Sequence, residues 1–307
     1  MRLRSSRASQ GDAEPQLAAR RQPVWLIIAP AVFLLLWSAG YSAVKIGVQW
    51  VEPFWLLALR YLIVLAVLVP AMIVLRPPMP DGKAAWRHLI VVGLLIQGLY
   101  FGATNLAIGV GVSAAALGII LTLHPILVAL LAPRLAGEGV SGRAWIGFLL
   151  GITGAVVAIL AKSQIGDTTF LGILTAAFAV LFITAGTLYE KRFGVDHHPV
   201  VSNAIQCAVG LAVALPVALA FEEWRFTWNW PLVLSLLYSS ICNSIVAITL
   251  LFAMIRHGAA ARASALLFLV PPTSAAIAQY IFGEEMPVGA WFGMVLAALG
   301  VTMVRRS

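Results

Sequence analysis

Charged residues are scarce in this sequence. Asp, Glu, Lys and Arg make up 10% of the 307 residues and apolar residues 61%, whereas an ordinary soluble domain carries about 25% charged residues. Water is therefore not the main solvent for most of the chain. Carboxylates number only twelve, and each falls in the N-terminal tail or near the end of an apolar run. No buried Asp or Glu offers the usual relay for a coupling proton or sodium ion. The two cysteines, Cys207 and Cys242, lie inside apolar runs without a CxxC pair or a histidine at ligand spacing. Neither a disulfide framework nor a zinc site is indicated, and both read as core packing. HExxH, GxSxG, paired intramembrane aspartates and a Walker-type glycine loop are also missing. A membrane-embedded enzyme needs a nucleophile with a base, or metal ligands, at reacting distance. A non-enzymatic role without metal or cofactor is therefore expected.

Long apolar runs are what the chain has in abundance. A bilayer core takes about 20 apolar residues per spanning helix, and ten runs of that order lie at about 24–45, 54–75, 88–108, 112–133, 144–161, 169–189, 199–221, 231–255, 260–282 and 287–304. The expected fold class is an all-α integral membrane protein of ten transmembrane helices around a central cavity. The basic segment up to Arg21, followed by Val24 to Leu36, imitates a secretory signal peptide, but this run has a counterpart later in the chain and is read as the first span. Residues 1–23 are polar, lack apolar periodicity and read as a disordered basic cytoplasmic tail.

Shifting the sequence by 146 positions superimposes its halves without a gap. SAGYSAVK, ending at Lys45, falls on TAGTLYEK, ending at Lys191. The same shift carries Pro53 to Pro199, Pro70 to Pro216, Pro125 to Pro271, Gly137-Glu138 to Gly283-Glu284 and Trp145 to Trp291. Coincident Pro, Trp, Lys and Gly-Glu at one offset indicate an internal duplication, with repeats at 24–162 and 163–307. Five helices per half is odd, so the second half enters the membrane from the opposite side, as an inverted repeat. With the N-terminus in the cytoplasm, sixteen Lys and Arg fall in cytoplasmic segments and only Lys45, Lys162 and Arg225 on the other side. This positive-inside bias puts both termini in the cytoplasm. The net charge of +8 thus orients helices, and no nucleic acid is expected as a partner.

The Pro125 and Pro271 helices, each followed by a Gly-Glu step and then WIGFLLGITG or WFGMVLAALG, resemble the drug/metabolite transporter superfamily and its EamA-type ten-helix exporters. The stretch Trp37-Ser38-Ala39-Gly40-Tyr41 and LTLHPILVALLAPRLAGE are similar to the YddG aromatic amino-acid exporter branch. The resemblance implies export of aromatic and other neutral amino acids from a cell inner membrane.

Several residues could carry transport. Arg60 stands seven residues past Pro53, about 10 Å along its helix; it either attracts an anion in a cavity or snorkels and pairs with Glu52. An Arg at this place is common in the family it resembles. Gln97, Tyr100 and Thr104 share one helical face, as do Ser240, Asn243, Ser244 and Ala247. Gln97 maps to Asn243, so two amides would face each other and bind a zwitterion, unless they serve as interhelical hydrogen bonds; Asn105 and Asn203 read as such bonds. Trp37 and Tyr41, with Tyr100, would give an amphipathic aromatic lining, or ordinary packing. Pro125, Pro271 and Pro272 should break or kink their helices near mid-membrane and act in gating, or merely kink for packing. His124 is the single histidine placed within a run; it could carry a proton or be a neutral hydrogen-bonding residue.

The expected function is export of amino acids by alternating access, facilitated or weakly coupled. The alternative is multidrug or small-metabolite efflux by proton antiport; a membrane-embedded enzyme ranks below both. The expected partners are a small-molecule substrate and the lipid bilayer, with a monomer expected and a dimer as the alternative.

Overall fold

The computed structural model describes residues 25–121, 123–135, 142–161, 169–194, 197–254, 269–283 and 287–305. Among the described residues every regular element is a helix. They are α1 (Trp25–Gly47), α2 (Pro53–Leu75), α3 (Gly82–Gly109), α4 (Ala114–Leu121), α5 (Leu123–Leu135), α6 (Gly142–Ala161), α7 (Phe170–Phe193), α8 (Pro199–Phe221), α9 (continuous segments Trp230–Leu237, Tyr238–Ala247 and Ile248–Met254), α10 (Val270–Phe282) and α11 (Val288–Arg305). Six are long and apolar enough to cross a bilayer, namely α1, α2, α3, α7, α8 and α9.

Local chemistry sets the helix starts. Pro53 and Pro199 open α2 and α8, where a missing N–H costs nothing. Thr169 Oγ1 accepts from Gly172 N to cap α7, and Asn229 Oδ1 from Leu232 N to cap α9. The third helix starts earlier than its apolar run, at Gly82, because Trp86 and the exposed Lys83 and Arg87 extend it amphipathically. His88 is buried at the end of this extension, with Nδ1 3.3 Å from Tyr189 Oη on α7.

Two helices widen part-way along. Gly93–Tyr100 in α3 and Tyr238–Ala247 in α9 form π-helix, an i→i+5 geometry that recurs at functional sites. Under the 146-residue shift, 93–100 falls on 239–246, within one residue of the second stretch. Pro125 lies on α5, and Pro271 and Pro272 are the second and third residues of α10. Gly137-Glu138, Glu284, the stretch Ala259–Ala263, the tail and the first half of the ninth apolar run lie outside the described residues.

Packing follows a repeated scheme. α6 and α11 pair along their length, so closely that a Cβ on Gly300 would strike the backbone of Gly147 and Gly151. α2 pairs with α8. α1 packs against α9 and α10, while α7 packs against α3, α4 and α5. Large apolar side chains such as Val74, Phe170 and Phe221 point outward, a surface suited to lipid. Inside, buried polar side chains gather where α1, α2, α3 and α9 meet.

Candidate functional site

Arg60 organises this centre. The side chain is 3% exposed. Its Nε donates to Ser244 Oγ at 2.8 Å, and its guanidinium carbon lies 4.3 Å from the centroid of the Phe101 ring and 5.9 Å from that of Tyr61. Aromatic faces and a hydroxyl soften the burial of this charge without neutralising it. Among the described residues no carboxylate lies within ion-pair distance of Arg60. Snorkelling and pairing with Glu52, the two bland expectations, both fail, because the side chain turns inward toward α9.

Ser240 and Ser244 hold Arg60. Ser240 Oγ donates to Arg60 O at 3.2 Å, Ser244 Oγ passes its own proton to Ser239 O at 2.8 Å, and Asn203 Nδ2 on α8 donates to Ser244 O at 2.8 Å. Trp37, Tyr41, Tyr100 and Asn243 instead line a cavity beside Arg60, together with Gly40, Thr104 and Asn105. Tyr41 Oη and Tyr100 Oη lie 3.4 Å apart. The space left is about 10 Å³, room for roughly one water and for no larger ligand.

Gln97 does not join this group. Tyr61 Oη donates to Gln97 O at 2.5 Å and to Gln97 Oε1 at 3.2 Å, and the Gln97 Cβ packs beside Gly210. The α-helical spacing that put Gln97 and Tyr100 on one face fails because both lie in the wider π-turns. The paired amides expected to face each other are thus separated: Asn243 lines the cavity, and Gln97 packs between α2 and α8. His124 is away from the cavity too. Its Nδ1 is 3.2 Å from Thr184 Oγ1, and that hydroxyl already donates to Val180 O at 2.7 Å. The hydroxyl must then accept, so His124 carries a proton on Nδ1. Pro271 and Pro272 stand in the first turn of α10, where they need no backbone donor.

One group escaped sequence reasoning altogether. Glu222, just past α8, accepts from Phe54 N at 2.8 and 3.0 Å and from Trp55 N at 2.9 Å. Its carboxylate therefore caps the first turn of α2, where orphan N–H groups and the helix dipole favour negative charge. Partial burial pushes the Glu222 carboxyl above the usual carboxylate range, the two backbone donors pull it back, and nearby Glu52 pushes it up again. Trp55 is flanked edge-on by Trp224 at 4.4 Å and Phe226 at 5.5 Å. A cleft of about 820 Å³ opens here, lined by Gln49, Glu52, Glu222, Arg225 and Thr227 among others. An acid in a short interhelical loop carries no sequence signal for the helix end it will meet.

The model of the EamA-like transporter family matches twice, at residues 23–160 and 170–306. The chain belongs to the EamA-like transporter family. This EamA-type protein is 26% identical over 283 residues to an uncharacterized transporter of Archaeoglobus fulgidus, a match covering 88% of this chain and 94% of that one. It is 22% identical over 284 residues to the uncharacterized inner membrane transporter YedA of Escherichia coli, covering 92% of each. It is 24% identical over 278 residues to a probable amino-acid metabolite efflux pump of Escherichia coli, covering 87% of this chain and 90% of that one. A solved crystal structure with 22% sequence identity superposes at a TM-score of 0.59 over 93% of this chain and 99% of the other, which shows a shared fold. Family membership and the six apolar helices make this EamA-type protein a multi-pass inner-membrane transporter of a small molecule.

Proposed function

We propose that this transporter exports amino acids, aromatic and other neutral ones, from the cytoplasm by alternating access. The observation that carries the reading is Arg60: a buried cation with no carboxylate partner among the described residues, facing a cavity walled by Trp37, Tyr41 and Tyr100. A charge in that setting is costly unless a ligand answers it, and a substrate carboxylate does so with charge-assisted hydrogen bonds. The aromatic walls suit a neutral or aromatic side chain. One relative's description as a probable amino-acid metabolite efflux pump supports the same class.

The transporter consists of two inverted five-helix halves, 24–162 and 163–307, ten spans in all, with both termini cytoplasmic. Support comes from the two family matches and from π-turns recurring 146 residues apart. In this orientation Glu222 lies at the outer face. Its cap on α2 closes that side, since α2 belongs to the first half and Glu222 to the second. A centre without room for substrate is then one stage of the cycle: parting the halves at one face opens the cavity to that side alone. Substrate movement is facilitated or weakly coupled, because among the described residues the polar centre holds a cation and amides but no carboxylate to carry a coupling proton.

The test is uptake of radiolabelled amino acids and one lipophilic cation into liposomes holding the purified protein, with and without a pH gradient. Saturable amino-acid movement without a gradient is expected. Movement of the cation alone, or none without an imposed proton gradient, would replace this reading with multidrug or metabolite antiport.

A further inference from the structure

Two amide oxygens beside Arg60 remain unexplained by a carboxylate site. Asn105 is 1% exposed and Asn243 7%. Both line the central cavity, and among the described residues Oδ1 of each lacks a hydrogen-bond partner. A buried acceptor left unpaired is unfavourable, and native proteins seldom keep one without a reason.

The orientation of Asn105 follows from its neighbour. Asn105 Nδ2 donates to Pro53 O at 3.2 Å. A backbone carbonyl only accepts, so the amide cannot flip without setting oxygen against oxygen. Oδ1 is therefore the atom left over. Asn243 comes from the other side, its amide packed against Gly40 so closely that a Cβ there would collide with it. The cavity thus presents a fixed cation from α2, a fixed acceptor from α3 and, from α9, the Asn243 amide, which can turn its oxygen to a donor.

We propose that Asn105 and Asn243 accept the substrate's α-ammonium group while Arg60 holds its carboxylate, making the site selective for zwitterions. This rests on the amino-acid reading above and narrows it. The ammonium brings three donors to the two amide oxygens, with the hydroxyl of Tyr41 or Tyr100 as a third acceptor. A cation lacking the carboxylate meets Arg60 with like charge. An anion lacking the ammonium leaves both amide oxygens buried and unpaired. Either analogue is rejected, as in sites whose buried polar groups need their partner. Asn105 also joins the two cavities, since the Pro53 it bonds lines the outer cleft.

The experiment is counterflow of labelled phenylalanine in liposomes, challenged with unlabelled phenylalanine, N-acetylphenylalanine, phenylalanine methyl ester and 3-phenylpropanoate. In the wild type the three analogues should compete at least about tenfold more weakly than phenylalanine. Asn243→Ala, which leaves the Asn105–Pro53 bond in place, should weaken competition by phenylalanine and narrow its lead over 3-phenylpropanoate. Asn105→Ala should do the same, and thermal unfolding shows whether loss of the Pro53 bond has cost the fold instead. If phenylalanine moves but N-acetylphenylalanine competes equally, or the lead survives in Asn243→Ala, the ammonium assignment is wrong and the amino-acid reading stands. If no amino acid moves at all, that reading fails and this assignment falls with it.

Discussion

α2 and α8 correspond under the 146-residue shift, pack against each other, and begin alike with a proline. They differ in everything that bears on chemistry. Midway along α2 stands Arg60, bonded to Ser244; at the matching place α8 has Gln206, whose backbone packs against Gly93. The first turn of α2 is capped by Glu222, whereas His198 gives α8 no side-chain cap. The correspondence thus covers the packing and the helix starts, and the buried charge arises where α2 and α8 differ. A symmetric cavity would present the same groups to both ends of a substrate, and a zwitterion needs opposite ones.

The sharpest way to break this comparison is to make α2 resemble α8. Arg60→Gln should raise the half-saturation concentration for amino acids by about 10- to 100-fold, the value of one charge-assisted hydrogen bond of about 1.5–3 kcal/mol, while thermal unfolding changes little. Uptake kinetics and a melting curve decide it; undiminished transport would remove Arg60 from the site. The reverse change, Gln206→Arg, should confer no compensating activity.

Glycine replacements sharpen the contrast between site and scaffold. Gly40 and Gly186 are repeat mates, yet a Cβ on Gly40 would collide with Asn243, and one on Gly186 would reach Ile96 Cγ1 at 2.6 Å. Gly40→Ala should therefore depress transport several-fold with little loss of stability. Gly186→Ala should destabilise by about 1–3 kcal/mol through overpacking and leave substrate preference unaltered. Substrate competition and thermal melts on both variants separate the two.

Glu222→Ala removes the cap on α2 and should lower stability by about 1 kcal/mol, with faster labelling of a cysteine introduced at the exposed Gln49 in the cleft beside Glu222. The smallest effect concerns pH. Burial holds the Glu222 carboxyl above the usual range in the closed form, and an opened outer face would return it to water and to an ordinary value. The closed form then binds the proton more tightly. Closure is favoured below the ordinary carboxylate pKa, and this contribution is lost as pH rises through the raised value. Labelling at the outer cleft should accordingly increase across that window in the wild type and stay flat in Glu222→Gln. A rise on acidification would reverse the sign and exclude this linkage.

Much of the site was legible before any coordinates. Arg60, Trp37, Tyr41, Tyr100 and Asn243 were marked by polarity or aromaticity inside apolar runs, and all of them meet at the centre. Gln97 was misplaced because helical-wheel spacing assumes 3.6 residues per turn and the π-turns of α3 depart from it. Asn105 was read as interhelical glue, which describes its Nδ2 but not its Oδ1. Glu222 was invisible, since a carboxylate becomes a cap only when another helix brings its open end within reach.

Composition alone determined that this chain lives in a membrane, because 61% apolar residues with 10% charge cannot be solvated otherwise. The positions of its helices followed from run length and from prolines and capping residues at their starts, which are local matters. What only the tertiary structure decided is which buried polar groups find partners and which are left over. Hydrogen bonding between helices is a matter of register and rotation, and an extra residue in a π-turn changes both without leaving a mark on the sequence pattern.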